Sequence, residues 1–132
     1  MTKPLALIVE DDVDLNEIFR EALSAAGYET KTALDGQVAQ DLLKEIIPNV
    51  VILDLHLPHV SGETLLRQIR STPNTEKTRV VITTADAVMA EFLRDNADFT
   101  LVKPISYVQL RDLAKRLNPQ LRTDELKFPG SP

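Results

Sequence analysis

Four short stretches of the chain carry side chains that could act together: Glu10-Asp11-Asp12, Asp54, Thr83-Thr84 and Lys103-Pro104. Each follows an apolar, strand-like run: Leu5 to Val9, Val50 to Leu53, Val80 to Ile82 and Phe99 to Val102. In open α/β sheets ligands bind outside the carboxyl ends of the strands, so carboxylates placed there are better explained by chemistry than by packing. Carboxylates converging in one cleft would repel one another and raise their own pKa values unless a cation joined them. The set therefore predicts a hard, oxygen-seeking divalent ion, Mg²⁺ or in its place Mn²⁺. Lys103 adds a second positive charge and the threonine pair a hydroxyl. A carboxylate flanked by metal, ammonium and hydroxyl makes a receptacle for a phosphoryl group, whose oxygens need cationic and hydrogen-bonding partners in the transition state.

These groups need a scaffold that gathers strand ends at one edge. Val50 to Leu53 reads as a strand buried on both faces, as in a parallel sheet. Between the strands the period changes. Leu15, Ile18, Phe19, Ala22, Leu23 and Ala26 are spaced for one face of a helix that Gly27 ends, and Tyr28 to Thr32 alternates as a half-buried strand. Asp35-Gly36 opens a second helix, with Val38, Ala39, Leu42, Leu43 and Ile46 on its face and Pro48 closing it. Leu65, Leu66 and Ile69 define a third helix ending near Ser71, because Pro73 disfavours helical geometry just before it. Val88, Met89, Phe92 and Leu93 define a short fourth helix and read as core. Val108, Leu110, Leu113, Ala114 and Leu117 define a fifth, begun by Ser106 as N-cap.

Five β-α units at this spacing imply an α/β fold: a parallel sheet with helices on both faces, in the flavodoxin-like doubly wound order 2-1-3-4-5. Residues 1–117 are expected to form this domain, and 118–132, which contain three prolines, a tail or the start of a linker. The 132 residues bear a formal net charge of −5 and no cysteine. That balance excludes a nucleic-acid-binding role for the domain itself, and the missing cysteines exclude disulfides and thiolate-bound zinc. No apolar run reaches the ~18 residues a membrane span needs, and the start of the chain shows no signal peptide, so a cytoplasmic location is expected.

Taken in order, Leu-Ile-Val-Glu-Asp-Asp (7 to 12), Asp54 followed by Pro58 and Gly62, Thr84-Ala85 and Lys103-Pro104 resemble the receiver domains of two-component response regulators, over Leu5 to about Leu117. The resemblance implies that Asp54 is the phosphoacceptor, taking a phosphoryl group from a phosphohistidine of a histidine kinase or phosphotransfer protein. By the same resemblance Asp11 binds the metal directly, Glu10 binds it through water, Asp54 is ligand and nucleophile, and His56 supplies its main-chain carbonyl. Asp12 instead reads as the start of the first helix, where negative charge favours the dipole. Thr84, followed by Ala85, aligns with the family's phosphoryl-contacting hydroxyl better than Thr83, which strand pleating is expected to point to the opposite face, and Lys103 pairs with a phosphoryl oxygen. Pro104 is expected to follow a cis bond. Such a domain is not an enzyme beyond its own phosphotransfer and dephosphorylation. Its output is a partner protein, an output domain further along a longer chain, or a homodimer.

Two departures stand out. The family's aromatic switch position is Thr100 here, with Phe99 on the opposite side of the strand, so Tyr107 and the fourth helix are the remaining switch elements. Thr84 to Lys103 spans 19 positions (103 − 84), shorter than the family's interval by about one helical turn. An aspartyl-nucleophile phosphatase of the haloacid dehalogenase type needs a second Asp where His56 stands. A flavin module is disfavoured because the first acidic loop would repel its phosphate. A receiver that only docks, without phosphorylation, remains as the alternative.

Overall fold

The computed structural model describes residues 2–121. The sheet is built from β1 (Leu5–Val9), β2 (Glu29–Ala33), β3 (Val50–Asp54), β4 (Arg79–Thr84) and β5 (Phe99–Val102). Between and after them lie α1 (Val13–Ala25), α2 (Gly36–Leu43), α3 (Gly62–Ser71), α4 (Ala87–Phe92) and α5 (Tyr107–Leu117), with a 3-10 turn at Arg94–Asn96. All strand pairs are parallel, in the order β2-β1-β3-β4-β5. This is the expected doubly wound order, with the reversal beside β1.

Side chains alternate across each strand and so feed two cores. Ala6, Ile8, Val50, Ile52 and Val81 pack under α1 and α5 with Phe19, Leu23, Tyr28 and Leu110. Leu7, Val9, Val51, Leu53, Val80 and Ile82 pack on the other face with Leu65, Leu66 and Ile69 of α3. Central β3 is buried along its whole length, as its unbroken apolar run requires, whereas edge strands β2 and β5 are mostly exposed or half-buried. Each fully buried Leu, Ile or Phe contributes about 1.5–3 kcal/mol, so these two layers hold the strand ends in place.

The helix starts are set by side-chain caps. Asp12, Asp35, Ser61, Asp86 and Ser106 each accept from a main-chain N–H two or three residues on, satisfying donors that a helix start leaves free. Four helices differ from expectation. Helix α2 stops at Leu43, short of Ile46, and Val38 is exposed. Ile18 and Val108 also face solvent. On α4, Val88 and Phe92 are 81% and 79% exposed rather than core. The reason is rotation about a short axis: Val88 and Phe92 share one face at i, i+4, while Ala90 and Leu93 turn inward on the other. With 6 residues, α4 has only one stripe to give the sheet.

The segment expected as a tail begins with a buried residue. Asn118 donates from Nδ2 to the Ala26 carbonyl at 2.9 Å, and Tyr28 donates to the Ala114 carbonyl at 2.9 Å. Residues 122–132 of that segment lie outside the described residues.

Candidate functional site

Strand alternation decides which side chains meet at the carboxyl edge. Glu10 follows Ala6 and Ile8, Asp54 follows Val50 and Ile52, and Lys103 follows Leu101, so all three emerge on the α1/α5 side of the sheet. Glu10 and Asp54 are buried, and Lys103 reaches over them from the loop after β5. Its ammonium lies 2.6 Å from Glu10 Oε1 and 3.4 Å from Asp54 Oδ2. Asp11, exposed on the next loop position, brings its carboxylate to the same place. Oxygens of Glu10, Asp11 and Asp54 lie within 4.8 Å of one another.

The electrostatics favour added positive charge. Burial pushes the Glu10 carboxyl up to about 7, against the hydrogen bonds from Lys103 and the Asp12 amide, and the nearby Asp54 charge adds to the rise. Burial alone would lower Lys103, but its hydrogen bond to Glu10 and the charges of Asp54 and Glu10 outweigh this and hold the ammonium above the usual lysine value. Both shifts retain protons at the site. A divalent cation would supply the same charge without them, and three clustered carboxylates are the donor set a hard cation takes.

Loop geometry fixes the acidic groups. Asp12 caps α1 by accepting from Leu15 N at 3.0 Å, and its own N–H donates to Glu10 Oε2 at 3.1 Å. It therefore serves the helix start rather than the cluster, as expected. Asn16, not among the site residues expected from the sequence, is buried and donates to the carbonyls of Glu10 at 2.9 Å and Ala33 at 3.2 Å. It ties the acidic loop to β2. A signal was present: Asn16 stands on the same helical stripe as Phe19 and Leu23, where a polar side chain needs a buried partner.

After Asp54 the chain turns sharply into α3. His56 N donates to Asp54 Oδ1 at 3.1 Å, Leu55 N to the Thr83 carbonyl at 3.3 Å and Gly62 N to the Leu55 carbonyl at 3.2 Å. A side chain at Gly62 would stand 2.2 Å from the Asp54 carbonyl oxygen. The His56 side chain is exposed and joins no metal cluster among the described residues.

The two threonines part company at the end of β4. Both are fully buried. Thr84 continues the Val80, Ile82 face, and its hydroxyl accepts from Asp86 N at 3.0 Å while its carbonyl accepts from Lys103 N at 2.7 Å. Contrary to the pleating expected from the sequence, it is Thr83 that is in register with Asp54 and shares its face, because the β3–β4 register pairs these two residues and turns Thr84 to the other side. Thr100 is half-buried in register with Ile82, on the Thr84 side, and Tyr107 is half-buried at the start of α5 with Arg111 stacked 5.7 Å from its ring centre. The Lys103-Pro104 bond is cis. A cavity of about 470 Å³ lies elsewhere, at Arg70, Arg79 and Asp98. There Asp98 accepts from both arginines, and Glu76, Lys77 and Asp95 also line the space.

Comparison with known proteins agrees with this arrangement. The family model described as response regulator receiver domain matches residues 6–115. The chain is 34% identical over 131 residues to the phosphate regulon transcriptional regulatory protein PhoB of Rhizobium meliloti (strain 1021), covering 94% of this chain and 58% of that protein. It is 36% identical over 129 residues to the response regulator MprA of Mycobacterium sp. (strain KMS), covering 96% and 54%. The chain thus spans a little over half the length of these curated relatives. Among solved structures, the CheY-like receiver domain from Methylobacillus flagellatus superposes with a TM-score of 0.77 at 28% identity, covering 87% of this chain and 98% of that one. The chemotaxis response regulator CheY4 of Vibrio cholerae shares the fold with a TM-score of 0.80 at 24% identity, covering 88% and 99%. No described helix is long and apolar enough to cross a membrane. With its fold, its acidic edge and its matched span in agreement, the chain belongs to the response regulator receiver domain family.

Proposed function

We propose that the domain is a phosphoacceptor: Asp54 takes a phosphoryl group from the phosphohistidine of a histidine kinase or phosphotransfer protein. The observation that carries this reading is the meeting of Asp54, Glu10, Asp11 and Lys103 within hydrogen-bond and metal-ligand reach at one sheet edge. Glu10, Asp11 and Asp54, with the His56 main-chain carbonyl, would hold Mg²⁺ or Mn²⁺, which when bound neutralises charge on the phosphoryl oxygens. An Asp54 carboxylate oxygen attacks phosphorus as the P–N bond to imidazole breaks, and the bond pair leaves with the imidazole. Lys103 then turns from Asp54 to a phosphoryl oxygen, and the Thr84 hydroxyl contacts another. The domain does no other catalysis than this transfer and the hydrolysis of its own acyl phosphate.

Output follows from what Thr84 holds. Because Thr84 stands on the sheet face opposite Asp54, its hydroxyl can reach a group on Asp54 only if the end of β4 moves. Asp86, which caps α4, is hydrogen-bonded to that hydroxyl and moves with it. The switch thus runs through α4 and its exposed Val88 and Phe92 toward a partner protein, an output domain or a second copy. Thr100 offers no aromatic ring to rotate. Thr84→Ala should therefore shrink the NMR shift changes that phosphorylation causes in α4, and Thr100→Ala should leave them nearly intact. The opposite pattern would refute this route.

The direct test of the phosphoacceptor reading uses acetyl phosphate and Mg²⁺. One phosphoryl group per chain should be incorporated, stable in acid and labile to base and hydroxylamine, and none should be incorporated when the metal is chelated beforehand. Incorporation that ignores chelation, or survives hydroxylamine, contradicts it.

A further inference from the structure

Among the described residues, the Thr83 hydroxyl is the one buried side-chain polar group without a hydrogen-bond partner. Leaving such a group unpaired is costly, and a valine would fill the same space without that cost. Its position is specific. Thr83 pairs in register with Asp54 on β3 and with Leu101 on β5. Val81, Ile52 and Leu101 all pack on the α1/α5 side, so Thr83 shares its sheet face with Asp54, Glu10 and Lys103. Thr84, by contrast, already accepts from Asp86 N.

The two Asp54 oxygens are unequally served. Oδ1 accepts from His56 N at 3.1 Å, but Oδ2 has only the Lys103 ammonium at 3.4 Å, and that ammonium sits closer to Glu10, at 2.6 Å. The long contact is the one Lys103 can give up. We infer that Thr83 is a positioning residue for the chemistry at Asp54: when Lys103 turns to an incoming phosphoryl group, the Asp54 carboxylate it releases shifts toward Thr83, whose hydroxyl donates to the oxygen that Lys103 leaves. A hydroxyl can turn its proton to suit the acceptor, and Asp54 stands directly across from Thr83 in register on the same face. The exchange keeps Asp54 oriented while its former partner serves the anion. This inference rests on the phosphoacceptor reading and adds to it a residue that is idle in the resting state and engaged in the occupied one.

The test is thermal unfolding of the whole chain with and without Mg²⁺ plus beryllium fluoride, a phosphoryl mimic, for the wild type and for Thr83→Val, Thr83→Ala and Thr83→Ser. Without additives Thr83→Val should melt at or above the wild type, because an unpaired hydroxyl has been removed. With them its upward shift should be smaller, corresponding to about tenfold weaker apparent affinity for the mimic, the scale of one hydrogen bond to a charged group. Thr83→Ala should lose the same part of the shift whatever its starting stability, and Thr83→Ser should recover it. Equal shifts in wild type, Val and Ala would overturn the role of Thr83 while leaving Asp54 as acceptor. If the wild type itself shows no shift, the phosphoacceptor reading fails and the role of Thr83 falls with it.

Discussion

Asp11→Ala is expected to weaken Mg²⁺ binding drastically while Asp12→Ala leaves it within about twofold of wild type. Side chains that merely support metal ligands cost roughly 10- to 100-fold in affinity when removed, so loss of a carboxylate in the cluster itself should cost no less. Asp11 places an oxygen within 4.8 Å of those of Glu10 and Asp54, whereas Asp12 is committed to Leu15 N as the cap of α1. The stability readout should reverse. Losing the Asp12 cap costs about 0.5–2 kcal/mol of unfolding free energy, while Asp11, exposed and uncapping, should cost little in the absence of metal. A metal titration and a urea melt on each variant separate the two roles, and equal metal losses would show that the ligand register at the acidic loop is wrong.

Gly62→Ala should be among the most damaging single changes to the fold. A Cβ there would meet the Asp54 carbonyl oxygen at 2.2 Å and Leu55 Cα at 2.7 Å, and both are main chain in the most buried strand and its exit. Neither can rotate away. Overpacking of a rigid site costs about 1–3 kcal/mol, and contact with immovable backbone places this change at or beyond the upper end. The same shift would pull His56 N off Asp54 Oδ1. A urea melt should show a lower midpoint with an unchanged slope, and a variant as stable as wild type would mean that α3 does not enter against the Asp54 loop as described.

Much of this was legible in the residues. The unbroken run Val50 to Leu53 and the change of period after each strand suffice for a parallel sheet with helices on both faces, and the strand ends collect Glu10, Asp54 and Lys103 without knowledge of the fold's details. What the sequence did not show depends on rotation and register. Helical spacing placed Val88 and Phe92 on one face of α4 but could not say which face meets the sheet, because Ala90 and Leu93 offer an equally regular and smaller stripe. Likewise the expected pleat turned Thr83 away from the site, and the register that pairs Asp54 with Thr83 reverses it, since adjacent residues of a strand carry no sign of which one faces the nucleophile. Asn16 carries a signal in its place on the buried stripe of α1, but its partners, the carbonyls of Glu10 and Ala33, are set by tertiary structure, as is the close approach of Gly62 to the Asp54 main chain.

In the proposed mechanism Asp54 alone carries the phosphoryl group. Reduction of the phosphorylated chain with borohydride converts a phosphoaspartyl residue to homoserine, which peptide mass spectrometry then locates. The proposed mechanism predicts homoserine at position 54 alone, after incubation with Mg²⁺ and acetyl phosphate, and none in Asp54→Asn. Homoserine at Asp11 or Asp12, or labelling of Asp54→Asn at the wild-type level, would contradict it.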